Sequence, residues 1–282
     1  ACSNDESDNV QNDNVIRLTS SVGEVTRAAN DIYGEGTHFA EGTAVTVKVT
    51  DQGSNPITYT SVTYTDDGAG NLTCSPVQYY PASGNAVNIY AYYPSTASTS
   101  SNGFTVNTSQ DSDEDYKASD LMYASISNIT KSSNDAARTL TFNHLLSKIV
   151  VTLVTGDGMT DAEIGAATGT LKDVIIKGTF TLGSDFGAAA DEAANRNDIT
   201  IATNAGTTPH AAIVVPQSVA GKKIGITING HTEEYTIPDE TSFSAATHND
   251  YTITVAKTGI TGVTATIGTW GTGTYGTETL TY

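Results

Sequence analysis

An all-β fold of two tandem β-sandwich domains is what this sequence predicts, on three observations. Short segments of alternating apolar and polar residues recur roughly every 8 to 12 residues, with turn chemistry between them. Thr, Ser, Gly, Asn, Asp and Tyr are plentiful while Lys, Arg, Met and Trp are scarce, a mix that suits pleated strands and turns better than helices. A Gly/Ala/Asp-rich stretch at residues 155–169 separates two halves of similar strand grammar, and a chain of 282 residues is long enough for each half to enclose a core.

The chain begins with a polar, acidic run, residues 1–14, that offers nothing to bury and reads as a disordered tether. Ile16, Leu18 and Val22 then fall on alternating positions, a first strand, followed by an exposed connection through Gly23-Glu24-Val25-Thr26-Arg27-Ala28. Val45, Val47 and Val49 alternate with Thr46, Lys48 and Thr50 up to a turn at 51–56. Ile57, Tyr59, Val62 and Tyr64 continue the theme to Asp66-Asp67-Gly68-Ala69-Gly70-Asn71, a strong hairpin signal. Residues 77–80 and 87–93 are two more strands, each stopped by a proline, which has no N–H to give to a ladder. Residues 140–153 are the most apolar segment of this half and are expected to form one long core strand, bent or bulged near His144.

The domain boundary is placed after residue 156, giving an N-terminal domain over 15–156 and a C-terminal domain over 157–282. The stretch at 155–169 carries a single helical turn or a loop, and the Ala-rich residues 186–195 are the one plausible helix. Strands are expected at 171–180, 199–202, 211–216, 224–228, 234–237, 251–255 and 263–270.

A net charge of -18 and a pI near 4.3 argue against nucleic acid or an anionic membrane as partner, because phosphate binding needs clustered Lys and Arg. No apolar run approaches the roughly 18 residues that span a bilayer, so membrane contact is expected through a lipid anchor alone. The five histidines are scattered without a His or Cys partner at metal-ligand spacing, so no metal site and no cofactor is expected. The run Asp111-Ser112-Asp113-Glu114-Asp115 lacks the Gly and trailing Glu of a calcium loop and reads as a solvated acidic loop. No Gly-x-Ser-x-Gly elbow or other catalytic constellation is present, and the chain reads as no enzyme. Tyr79, Tyr80, Tyr90, Tyr92 and Tyr93 form either a sugar-binding platform or core packing; alternation puts Tyr90 and Tyr92 on one face, Ile89 and Tyr93 on the other.

Of the two cysteines, Cys74 reads as a lone thiol, and a disulfide from it to the mobile N-terminus would be unusual. Ala1-Cys2 ahead of an acidic tether resembles the end of a bacterial lipoprotein signal, in which the cysteine becomes the acylated first residue. Several further segments, in order along nearly the whole chain, resemble the fimbrillin family of type V pilus subunits. They are Thr26-Arg27-Ala28, Val87-Asn88-Ile89-Tyr90-Ala91-Tyr92-Tyr93-Pro94, Ser119-Asp120-Leu121-Met122-Tyr123-Ala124, Leu140-Thr141-Phe142-Asn143-His144-Leu145-Leu146-Ser147-Lys148-Ile149, and His248-Asn249-Asp250-Tyr251-Thr252-Ile253 leading to Ile267-Gly268-Thr269-Trp270.

The resemblance implies two transthyretin-like β-sandwich domains, export as an outer-membrane lipoprotein acylated at Cys2, and assembly with other pilus subunits into a cell-surface fimbria that supports adhesion. It also implies an Arg-specific protease that removes the N-terminal strand, so that a strand from another subunit fills the groove. Arg27 fits that cut, because cleavage before Ala28 removes the anchor and the Ile16-Leu18-Val22 strand together; Arg17, inside the strand, fits less well. The candidate donor is the strand carrying Val263, Ala265 and Ile267, or the tail anchored by Tyr275 and Leu280. The alternative function is a monomeric, lipid-anchored surface protein that binds a glycan or host protein ligand through its loops.

Overall fold

The computed structural model describes residues 14–22, 37–97, 103–133, 136–182, 186–204, 207–239, 241–270 and 278–281. Nearly all of the regular structure is strand, and it is built as two β-sandwich units in tandem.

The first unit contains β1 (Leu18–Val22), β2 (Ala44–Asp51), β3 (Val62–Asp66), β4 (Asn71–Cys74), β5 (Val87–Tyr93), β6 (Met122–Ile129) and β7 (Arg138–His144). Their order is β1-β4-β3-β2-β5-β6-β7, and β7 returns to β1, so the two faces of the sandwich are joined at both edges. Every pairing in this ring is antiparallel except the last, which runs parallel with Leu18 beside Arg138 and Val22 beside Phe142. Alternation fills the interior: Val45, Val47, Tyr64, Ile89, Leu140 and Phe142 are buried, and Phe39 meets Phe142 edge-on at 4.9 Å.

The second unit contains β8 (Ser147–Thr155), α2 (Asp161–Gly165), β9 (Thr168–Ile175), β10 (Arg196–Asn204), β11 (Thr207–Val214), β12 (Lys223–Ile228), β13 (His231–Thr236), β14 (Thr247–Ala256), β15 (Gly259–Thr269) and β16 (Glu278–Thr281). The order is β13-β12-β9-β10-β11-β8-β14-β15-β16; β10 pairs with β9 along one part and β11 along the other, carrying the sheet round into a second layer. Here too one long pairing is parallel, β8 beside β14. The turn at 155–169 is the helix α2, whose Thr160 hydroxyl and Glu163 carboxylate satisfy each other's backbone N–H groups in a capping box.

Four expectations change. Residues 140–153 form two strands rather than one: β7 ends at His144, β8 starts at Ser147, and Leu140 and Phe142 lie in the first core while Leu146, Ile149 and Val151 lie in the second. Residues 186–195 form no α-helix; Gly187–Ala188 pair with Lys177–Thr179 and Ala193–Asn195 make one 3-10 turn, because Gly187 and the polar neighbours give no apolar face to bury. The acidic run is not a plain loop. Asp113 to Ala118 is a helix, α1, started by the Ser112 hydroxyl, which accepts the Asp115 N–H at 3.1 Å, with the carboxylates at its positive end. Ile57 and Tyr59 precede β3 without entering its ladder, and residues 77–80 contribute a single bridge, Tyr79 to Val15.

The connection between β5 and β6 leaves the first unit altogether. Ala97, Phe104, Val106, Tyr116 and Leu121 are buried in the second core, and the Gln110 side chain both donates to and accepts from the Ile213 backbone at 2.8 and 2.7 Å. Tyr92, on the outer face of β5, stacks edge-on against Phe180 of the second unit at 5.6 Å.

Candidate functional site

The first strand lies in a lane between two walls. On one side it runs parallel to β7; on the other it faces β4 and the segment that follows, with Ser20 N–H donating to the Gly70 carbonyl at 2.8 Å and Ile16 N–H to Gln78 at 2.9 Å. Tyr80 N–H donates to the Asn14 carbonyl at 2.7 Å, and Arg138 N–H to Arg17 at 2.9 Å. Ile16, Leu18 and Val22 are 3 %, 2 % and 6 % exposed and belong to the first core. Burying each contributes roughly 1.5–3 kcal/mol, so three of them together rival a large part of the roughly 5–15 kcal/mol that holds a domain folded.

One inward position of the strand is polar. Ser20 is buried and its hydroxyl donates to Asp66 Oδ2, while Asp66 Oδ1 accepts from the N–H groups of Gly68 at 2.8 Å and Gly70 at 3.2 Å. The hairpin turn at Asp66 therefore grips the strand through one hydroxyl as well as through the ladder. Gly70 sits at φ +87°, and a side chain there would press on the Ser20 carbonyl, so the close approach of the two strands requires glycine. Beyond Val22, whose N–H donates to the Thr37 carbonyl at 3.0 Å, the chain enters residues 23–36.

Of the residues singled out in the sequence, Cys2, Arg27, Ala28 and Tyr275 lie outside the described residues. Arg17 is exposed between the buried Ile16 and Leu18. Val263 and Ala265 are buried in the second core and Ile267 is half-buried; their strand, β15, pairs with β14 from Thr247 to Ala256 and with β16 on its other side. Leu280 stands on β16, the last strand of that sheet, paired with Ala265. Cys74 is a free thiol, half-buried, at the end of β4. The tyrosine cluster divides: Tyr80 is buried, Tyr92 and Tyr93 pack on the second and first cores, and Tyr79 is 53 % exposed.

The joint between the units lies where the sequence predicts only a bend or bulge near His144. His144 Nδ1 bonds Asp120 at 2.9 Å with both side chains buried, and the ring stacks on Trp270 at 3.6 Å between centroids. Trp270 N–H donates to Ala246 at 2.7 Å, and Ala246 N–H to Leu146 at 2.9 Å, so the end of β15 is tied to the crossing between the units. A cleft of about 340 Å³ lies at the far end of the second unit, between α2 and the β12–β13 and β14–β15 turns; Met159, Ile226 and Val255 line it with Glu163, His231 and Lys257, and among the described residues no Phe, Tyr or Trp does.

The architecture is that of a tandem β-sandwich protein whose first strand is sealed into the first core from both sides. The family model described as fimbrillin-like matches residues 26–270, and the chain belongs to that family. Among solved structures, a candidate cell adhesion protein of Bacteroides uniformis is 22 % identical, with a TM-score of 0.72 over 93 % of this chain and 99 % of that one. One of Bacteroides ovatus is 16 % identical, with a TM-score of 0.73 over 92 % and 98 %. A fimbrial protein of Bacteroides ovatus is 16 % identical, with a TM-score of 0.55 over 88 % of this chain and 49 % of its own. At these identities the likeness is one of fold. No curated protein matches the chain.

Proposed function

We propose that this protein is a structural subunit of a cell-surface pilus, exported as an outer-membrane lipoprotein through Cys2 and assembled by strand exchange to support adhesion. The observation that carries this reading is the lane of β1: it is bonded on both sides and buried, yet the cut proposed at Arg27 lies within residues 23–36, directly after it. Cleavage after Arg27 by an Arg-specific protease detaches the strand from everything that follows. Its departure leaves unpaired groups on β7 and β4 and an apolar slot where Ile16, Leu18 and Val22 sat, and a strand from another subunit satisfies both. Of the two candidate donors the tail is the better, because drawing out β15 would strip Val263 and Ala265 from the second core, whereas β16 with Leu280 lies at a sheet edge. The two cores support a division of the chain at Leu145 rather than at residue 156.

Digestion with an Arg-specific protease, followed by mass analysis and native sizing, tests this. A single early cut after Arg27 with ordered multimers appearing is expected; a cut that leaves an unchanged monomer would sink strand exchange and favour the monomeric ligand-binding alternative.

A further inference from the structure

The wall of the lane has an outer side. Alternating with the inward-facing Gln78 and Tyr80, which are buried, Val77 is 44 % exposed and Tyr79 is 53 % exposed. The neighbouring segment presents Ile57, 49 % exposed, and the half-buried Tyr59. The two segments run side by side, with the Tyr59 hydroxyl donating to the Tyr79 carbonyl at 2.8 Å and Gln78 Nε2 to Thr60 at 3.1 Å. Exposed apolar side chains that gather in one place, rather than singly, mark a contact surface.

Charge says what kind of partner fits. In a chain with a net charge of -18 and 16 % charged residues, positions 52–65 and 68–110 contain no Asp, Glu, Lys or Arg at all. Two such chains repel through most of their surfaces, and an apolar face built from uncharged stretches, whose neighbouring carboxylate Asp51 is buried and bonded to the Ile57 N–H at 3.0 Å, is where one approaches another at least cost. The face also adjoins the lane. Tyr79 bridges Val15, and the lane's first bonds, at Asn14 and Ile16, are made to Tyr80 and Gln78 on the inner side of the same segment. A strand that fills the lane therefore lies one strand spacing, ~4.8 Å, from the segment that carries Val77 and Tyr79.

We propose that the face formed by Ile57, Tyr59, Val77 and Tyr79 docks the body of a second copy of this chain, beside the point where that copy's strand enters. The inference deepens the strand-exchange reading and rests on it for its geometry, while its test separates the two. Protein cleaved by the Arg-specific protease is compared as wild type, as the double variant Ile57→Glu with Tyr79→Glu, and as Val154→Glu, which places the same charge on an exposed apolar side chain of the second unit. Binding of a labelled peptide spanning residues 14–22 reports the lane; sedimentation reports self-association. The double variant should bind the peptide within twofold of wild type and self-associate at least tenfold more weakly, with Val154→Glu matching wild type in both. Loss of peptide binding by all three proteins defeats strand exchange and leaves the face to be judged by sedimentation alone. Self-association that is absent in wild type, unchanged in the double variant, or weakened equally by Val154→Glu overturns the docking face.

Discussion

Strands β1 and β8 occupy the same place in their units: each comes first, and each lies parallel to a late strand, β7 or β14. They differ in how firmly they are held. Strand β8 pairs with β14 from Ser147 through Thr155 and with β11 from Ser147 through Val151, and it buries Ile149, Val151 and Leu153. Strand β1 matches β7 over Leu18 to Val22 and β4 only at Leu18 and Thr19, and gives one of its inward positions to a serine. A strand locked into a long two-sided ladder is a permanent part of its sheet. A short one with a polar middle is held by fewer ladder bonds and fewer buried apolar side chains.

The largest expected effect separates the two strands by truncating each at a fully buried aliphatic. Ile149→Ala and Leu18→Ala each remove a core side chain, at a cost of about 2–5 kcal/mol. In protein nicked after Arg27, Leu18→Ala should weaken retention of the cut strand by at least ~30-fold, measured as displacement by a labelled peptide of residues 14–22. Ile149→Ala should leave that retention unchanged and lower the urea midpoint instead. If Ile149→Ala loosens the strand as much as Leu18→Ala does, the two units share one core energetically and the contrast collapses.

Much of this division was legible along the chain, and the unread part has a common cause. Alternation located Val45, Val47 and Val49, the strand 87–93 and the buried Ile16, Leu18 and Val22, because burial within one sheet leaves a local imprint of period two. Alternation does not say which core a residue enters. Residues 140–153 read as one apolar segment because both strands there bury alternate side chains, in different units, and Ala97 and residues 104–121 join the second core through contacts that no nearby residue announces. The same limit hid Asp66, whose partner Ser20 is 46 positions away. Ile57 and Tyr59, and Val77 and Tyr79, do fall at spacing two; Ile57, Val77 and Tyr79 face outward, while Tyr59 is half-buried and packs against the first core. The helix α1 was readable from Ser112 followed three residues on by Asp115, a cap signal overlooked in favour of the charge run.

A smaller effect sharpens the contrast at Ser20. Ser20→Ala leaves the buried Asp66 Oδ2 without its hydroxyl donor, a loss of about 1–3 kcal/mol, and should weaken retention of the nicked strand by roughly tenfold. Among the described residues, the buried serine of β8 is held by no carboxylate: the Ser147 hydroxyl donates to the Thr247 carbonyl at 3.2 Å and accepts from Asn249 Nδ2 at 2.9 Å; Ser147→Ala should leave retention of β1 untouched. Retention that survives Ser20→Ala unchanged would show that the Asp66 turn does not grip the strand.

The smallest effect concerns acid. Backbone N–H groups of Ile57 and Gly53, with the Asn85 amide, hold the Asp51 carboxyl below the usual carboxylate range against the opposing pull of burial. A group whose folded value is depressed contributes stability that is complete above its unfolded value, about 3.9, and is lost as pH falls through the folded value. Acid should therefore free the Gly53 and Ile57 amides, loosening the segment that presents Ile57. In the second unit Glu163, lowered by the hydroxyl and N–H of Thr160 with Lys257 and Asn229 nearby, follows the same sign at α2. Amide exchange at pH 5 and pH 3, corrected for intrinsic rates, reads the difference: Gly53 and Ile57 should lose protection at the lower pH in wild type. Asp51→Asn should remove that pH dependence there while leaving the response at Thr160, and equal pH dependence in the variant would mean that Asp51 does not hold the segment.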